Sequence, residues 1–194
     1  MTAAPTSGTP AADWTFIIPF FNEADYIAAT CATLAAQDIL RSGGRFRLIL
    51  VDNGSTDGSA DIARAALAGA ALDWTILAEP RPGKIHALTT ALAAADTRYV
   101  ALGDADTLYP PHYLSTADRL IRGPGVVAAM AMDVYGDPEG FAARRRRFLY
   151  PRVIARLLAK QTHTGGYGQC FDLGVLRAVG GFDEAIWPYV LLDH

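Results

Sequence analysis

Two carboxylates one residue apart, Asp104 and Asp106, close the stretch Leu102-Gly103-Asp104-Ala105-Asp106-Thr107. They follow residues 98–102, a short apolar run with a Tyr and a Val and no helical period, which predicts a buried strand. Acids so placed at a strand's end point at one small volume, where, unpaired, they repel and cost stability. A hard divalent cation such as Mg2+ makes the arrangement favourable, because it takes carboxylate and phosphate oxygens together. The chemistry expected is a metal–diphosphate site. The plainer reading, a polar loop ending a strand, fits any single Asp-x-Asp equally well, so the rest of the chain has to decide.

The elements that position this pair follow from hydrophobic period. Residues 14–18 predict a first strand, which Pro19 is expected to end because it cannot continue a central ladder. Asn22 is expected to cap a helix that lines Ile27, Cys31 and Leu34 along one face. Residues 46–51 are nearly all apolar, as a strand covered on both faces must be. The turn formers Asp52-Asn53-Gly54-Ser55-Thr56-Asp57-Gly58-Ser59 follow at once. Thr56 or Asp57 is expected to cap a helix carrying Ile62, Ala66 and Leu67. Residues 74–77 predict a third strand. After Pro80-Arg81-Pro82-Gly83, Lys84 opens a helix with Ile85, Leu88, Leu92 and Ala95 in helical period. With residues 98–102 as the fourth strand, the order β-α-β-α-β-α-β predicts an α/β fold, a Rossmann-like and mostly parallel sheet flanked by helices.

Beyond the fourth strand the alternation changes. Pro110-Pro111 is expected to start a helix carrying Leu114, Leu120 and Ile121, and residues 126–132 read as another strand. Residues 141–160 read as helical, interrupted by Pro151.

Composition narrows the partners. The 194 residues suffice for one domain with a substantial core, and 51% hydrophobic with 19% charged is ordinary for a globular protein. A net charge of -3 gives no reason to expect nucleic acid. Cys31 and Cys170 lie too far apart in sequence for a metal or redox motif and read as buried small residues in a reducing compartment. Residues 1–12, small and Pro-rich, read as a disordered tail without signal-peptide character, leaving one domain over residues 13–194. No run reaches the ~18–20 apolar residues of a membrane span, so a cytoplasmic protein is expected. The ending Leu191-Leu192-Asp193-His194 reads as a domain cut short.

In parallel α/β sheets, ligands bind at the carboxyl ends of the strands. The polar clusters all fall there: residues 19–23, 52–57, 81–84 and 104–106. That joint placement is stronger than any one motif. Asp52 ends a strand, where its carboxylate can accept a nucleobase N–H or close a turn with its own backbone. Lys84, beside Gly83 at a helix start, adds charge to an anion site or is an ordinary surface lysine.

Taken together, Ile17-Ile18-Pro19-Phe20-Phe21-Asn22-Glu23, Val51-Asp52-Asn53-Gly54-Ser55-Thr56-Asp57-Gly58-Ser59, Gly83-Lys84-Ile85-His86-Ala87-Leu88, Asp104-Ala105-Asp106 and Gly180-Gly181-Phe182-Asp183-Glu184 resemble glycosyltransferase family 2, with its GT-A fold, over about residues 14–194. The resemblance implies an inverting, metal-dependent transferase. It moves a sugar from a nucleotide-diphosphate donor, a UDP-sugar foremost, to the hydroxyl of a carbohydrate, lipid-linked or other acceptor. By position, Pro19, Phe21 and Glu23 correspond to the first nucleotide-contacting loop. Asp52 corresponds to the base-reading aspartate, with Asn53 and Gly54 beside it, and Lys84 to part of the nucleotide pocket. Asp104 is implied to face ribose and metal. Asp106, with Ala105 between the two acids, is implied to hold Mg2+ or Mn2+ on the diphosphate. Asp193 takes the place of the catalytic base. Relatives often carry a Glu-Asp pair there, and Leu192-Asp193 lacks one acid.

The chemistry suits these residue types. Charge growing on the β-phosphate is taken up by a cation, while a carboxylate opposite removes the acceptor's proton. Gly165 and Gly166 suggest a loop over the acceptor or a plain turn, and Trp187 a sugar-stacking ring or core filler. Arg144-Arg145-Arg146-Arg147 surrounds a helix rather than lining one face, so it reads as a solvated segment. A peripheral contact with anionic lipid through this run, Phe148, Leu149 and Ile154 is the alternative. Two other functions stay open. One is a non-catalytic nucleotide-sugar binding module. The other is a haloacid-dehalogenase-like phosphatase, whose Asp-x-Asp-x-Thr motif Asp104–Thr107 resembles, although that motif normally follows the first strand.

Overall fold

The computed structural model describes residues 13–131 and 168–183. Six strands form one sheet: β1 (Trp14–Phe20), β2 (Phe46–Asp52), β3 (Asp73–Ala78), β4 (Tyr99–Leu102), β5 (Ala128–Met130) and β6 (Gln169–Asp172), in the order β3-β2-β1-β4-β6-β5. The first four are parallel, as the alternation of strands and helices predicts, and β6 pairs antiparallel with β4 and with β5. The helices are α1 (Ile27–Ala35), α2 (Asp38–Arg41), α3 (Ser59–Leu67), α4 (Lys84–Ala94), α5 (Tyr113–Ile121) and α6 (Leu173–Ala178).

The period of two in the strands sorts the core into two layers. Phe16, Ile18, Leu48, Leu50, Tyr99 and Ala101 face α1, α3 and α5. Ile17, Ile49, Val51, Val100 and Leu102 face α4 and α6. β1 is buried along its whole length, which explains a sequence that is apolar but for Thr15, whose hydroxyl pairs with Thr97. The strand order reverses between β1 and β4, and at such reversals a crevice opens outside the carboxyl ends. Among the described residues no helix is long and apolar enough to cross a membrane.

Several expectations need correction. β1 does not stop at Pro19 but runs to Phe20, with Pro19 level with Val51 of β2. Ile17 O accepts the Gly103 N–H at 3.0 Å, and Phe20 O accepts the Asn53 N–H at 2.9 Å. Successive residues of a strand turn their backbone groups to opposite neighbours, so Pro19 faces the β4 side. β4 has already ended at Leu102, so no ladder bond needs the missing donor. Asn22 does not cap α1: Tyr26 precedes that helix without a side-chain cap, while Asn22 sits at φ 55 in the adjoining loop. In α3 the inward residue is Ala63 rather than Ala66, and in α5 it is Ala117 rather than Leu120, which is half exposed. The strand expected over 126–132 shrinks to Ala128–Met130. Cys31 and Cys170 are free and buried, as expected, and burial pushes both thiols up to about 11.

Candidate active site

Four loops leave the carboxyl edge of the parallel strands, and side chains bonded to backbone tie them together. The loop after β1 leans on the loop after β2. The Asn22 N–H donates to Ser55 Oγ at 3.0 Å, and Asn22 Oδ1 accepts the Thr56 N–H at 2.8 Å. The Glu23 N–H donates to Ser59 Oγ at 2.8 Å, and the Ala24 N–H to Asp57 Oδ2 at 2.9 Å. Asp57 Oδ1 also takes the Ser59 N–H and hydroxyl, but the cap of α3 is Gly58, with no side-chain cap bond, and not Thr56 or Asp57. The Ser59 hydroxyl bond, with the backbone donors behind it, holds the Asp57 carboxyl below its usual range.

The second motif divides its labour. Asp52 Oδ1 accepts the Ser55 N–H at 2.8 Å, closing the turn, while Oδ2 makes no hydrogen bond among the described residues. Asn53 is buried, and its amide is spent on the loop after β3. Its Nδ2 donates to Glu79 O at 2.9 Å and Arg81 O at 2.6 Å, and its Oδ1 accepts the Gly83 N–H at 2.8 Å. Gly54 takes φ 92, a left-handed conformation that favours glycine. Asn53 thus shapes the loop that delivers Lys84.

Glu79, which the sequence reading missed, braces that loop from within. It is 6% exposed. Oε1 accepts the Arg81 N–H and the Arg81 Nε–H, each at 3.0 Å, and Oε2 accepts the Thr90 hydroxyl at 2.5 Å. These bonds, the Arg81 guanidinium first and the Thr90 hydroxyl next, hold its carboxyl at about 2. At the loop's end Lys84 Nζ lies 2.5 Å from Asp104 Oδ1.

Asp104 and Asp106 follow β4, with Asp104 half-buried, Asp106 exposed and Ala105 turned into the core. Thr30 of α1 donates its hydroxyl to Ala105 O at 2.6 Å, so Ala105 acts through its backbone. The Asp104 peptide meets the Tyr109 hydroxyl. Burial raises the Glu23 carboxyl above its ordinary value, and the charges of Asp106, Asp104 and Asp57 add to this. The edge therefore concentrates negative charge that Lys84 offsets only at Asp104. Hard carboxylate oxygens in a surplus of negative potential suit Mg2+ or Mn2+. No group of three or more His, Cys, Asp or Glu among the described residues gathers closely enough to hold a metal ion. Pro19 is buried at the end of β1 and Phe21 is exposed in the loop that follows it. Asp193, Gly165, Gly166, Trp187 and the Arg144–Arg147 run lie outside the described residues.

This arrangement agrees with what the chain resembles among known proteins. The model of the family described as Glycosyl transferase family 2 matches residues 15–178. The chain belongs to that family. Its fold is GT-A, and the phosphatase alternative falls away. A mannosyltransferase from Pyrobaculum calidifontis, solved with GDP-Man and Mn2+, is 28% identical with a TM-score of 0.72. The match covers 90% of this chain and 48% of that one. A glucosyl-3-phosphoglycerate synthase from Mycobacterium tuberculosis, solved with Mn2+, UDP and phosphoglyceric acid, shares the fold at 20% identity and a TM-score of 0.59, over 85% of this chain and 57% of that one. Among curated relatives, the succinoglycan biosynthesis protein ExoA of Rhizobium meliloti is 26% identical over 87% of this chain and 52% of its own length. An uncharacterized glycosyltransferase of Mycobacterium bovis is 36% identical over 47% of this chain and 36% of its own. The chain spans about half or less of the length of these curated relatives.

Two carboxyls of this glycosyltransferase domain give opposite predictions for stability. Glu79 titrates lower in the fold than its unfolded ~4.3, so its contribution is complete above that pH and is lost as pH falls toward about 2. Glu79→Gln is expected to lower the melting temperature at pH 7 and to remove part of the acid sensitivity between those two values, read from thermal melts across the range. Glu23 titrates higher in the fold, so stability is greatest with it protonated and is lost as pH rises through its folded value. Glu23→Gln is expected to raise the melting temperature at pH 7 without divalent cation and to leave it nearly unchanged below the ordinary glutamate value.

Proposed function

We propose that the chain carries the donor-binding half of an inverting, metal-dependent glycosyltransferase that moves a sugar from a nucleoside-diphosphate donor to an acceptor hydroxyl. The observation that carries this reading is the convergence of Asp52, Lys84, Asp104, Asp106 and Glu23 on the carboxyl edge where the strand order reverses. Family membership supports it, as do relatives solved with a nucleotide or nucleotide-sugar and Mn2+.

In this reading each residue has a task. Asp52, one oxygen fixed by the Ser55 N–H, offers the other to an N–H of the base, as uracil or guanine presents. Pro19, Phe21 and Gly54 border the base and ribose, and Asn53 holds the loop that brings Lys84 to the diphosphate. Asp104 and Asp106 would hold Mg2+ or Mn2+ beside the donor's diphosphate. When bound, the cation takes up charge that grows on the leaving β-phosphate. Asp193 accepts the acceptor's proton as that oxygen bonds the anomeric carbon and the bond to the phosphate oxygen breaks, a single displacement that inverts the carbon. Gly165, Gly166 and Trp187 belong with the acceptor, a carbohydrate, a lipid-linked sugar or another hydroxyl.

A thermal-shift panel of UDP, GDP and dTDP, each with Mn2+ and with EDTA, tests the donor site. A ligand at ~100 times its dissociation constant adds about 2.7 kcal/mol of stability. The expected result is stabilisation by one nucleotide, abolished by EDTA and by Asp106→Ala. A folded protein that none of them shifts overturns the reading. Asp193→Asn is expected to abolish sugar transfer while the nucleotide shift persists. Transfer at the wild-type rate in that variant removes Asp193 from the role of base, and a wild type that binds donor and never transfers makes the domain a binding module.

A further inference from the structure

The structure assigns Tyr109 as a positioning residue for the Asp-x-Asp loop, its hydroxyl clamping both backbone groups of Asp104 so that the Asp104 carboxylate is held for a divalent cation. This rests on the donor-site reading above.

Tyr109 lies five residues beyond Asp104 and is 5% exposed. Its hydroxyl accepts the Asp104 N–H at 2.8 Å and donates to Asp104 O at 3.1 Å. One side chain therefore satisfies the donor and the acceptor of a single residue. Those groups would otherwise be short of partners where β4 gives way to loop. The ring cannot swing away. It meets Phe16 edge-on at 4.9 Å and Tyr113 at 5.2 Å, while the Tyr109 N–H donates to Thr33 Oγ1 at 3.2 Å.

Gly103 belongs to the same device. A Cβ there would overlap the Tyr109 hydroxyl oxygen and lie 2.7 Å from Phe16 Cε1. The close approach of hydroxyl to backbone thus requires glycine before the first acid. A ring that only filled the core would not need the hydroxyl, since phenylalanine occupies the same space, whereas the glycine is required by the rings themselves, Tyr109 Cζ lying 2.8 Å from such a Cβ. Asp104 is then held from two directions: its peptide by Tyr109, its carboxylate by Lys84.

The test is Tyr109→Phe in the full chain, with two readouts. The first is amide hydrogen exchange at Asp104, with Val100 and Ala101 of β4 as internal references. Exchange at Asp104 is expected to quicken about tenfold, with the references unchanged. The second is the affinity for Mn2+ in the presence of the nucleotide that stabilises the wild type, from the signal of free Mn2+ in electron paramagnetic resonance. It is expected to weaken by roughly 10–100-fold, as for other residues that orient a metal ligand. Asp104 exchange equal in both proteins overturns the clamp. So does an unprotected Asp104 amide in the wild type, a result that needs no variant to fold. Quickened exchange with unchanged Mn2+ affinity leaves Tyr109 a structural residue and overturns its part in metal binding. A wild type that binds no Mn2+ overturns the donor-site reading itself, and the exchange data then still report whether the hydroxyl holds the loop.

Discussion

Like charges gathered at one sheet edge set the terms for this fold. Burial and the neighbouring charges of Asp106, Asp104 and Asp57 already raise the Glu23 carboxyl, so the ionised edge works against the folded state. What opposes that repulsion is the middle of the sheet. β1 is buried on both faces and paired along its length with β2, and the two strands end level with each other. Their loops are then forced to leave side by side. The acids are close because the apolar strands beneath them are in register.

Above the strands no regular structure is left to satisfy the backbone, and side chains take over. Ser59 and Asp57 take the N–H groups of Glu23 and Ala24, Asn53 takes three groups of residues 79–83, and Tyr109 takes both groups of Asp104. Each of these bonds joins a loop either to a neighbouring strand's loop or back on itself. The left-handed Asn22 fits the same logic, since its side chain is needed at Thr56 and its backbone turns to put it there. Rigid loops of this kind fix charged groups without surrounding each with its own counter-charge, and one lysine meets one aspartate.

The strands and helices were legible because their burial has a period. β2, α4 and the inward positions Ile27, Cys31 and Leu34 of α1 follow the apolar pattern directly. Pro19 was misread because its tolerance depends on where a neighbouring strand stops, 83 residues further on, and no local pattern carries that. Ala66 and Leu120 were misread because alanine and leucine beside a true inward position keep nearly the same period, and only packing separates them. The acids of the crevice were legible as types at strand ends. Glu79, Thr30 and Tyr109 were not, because an acid, a threonine and a tyrosine among apolar residues look ordinary until their partners are placed. Gly103 lies just beyond β4, where a Cβ would meet the Tyr109 and Phe16 rings.

Asp52 and Asn53 show how far a motif can be read as a list of contacts. They are adjacent, both polar and both at the end of β2, yet successive residues there turn to opposite sides. Asp52 keeps an oxygen at the crevice, while Asn53 is buried and bonded three times to backbone. Asn53 thus determines where Lys84 enters without facing the crevice, as Ala105 and its Thr30 bond do for the acids on either side. A turn-forming sequence that serves a ligand must hold its own shape first. All six polar side chains of residues 52–59 are bonded in doing so, and Asp52 alone keeps an oxygen without a hydrogen bond among the described residues.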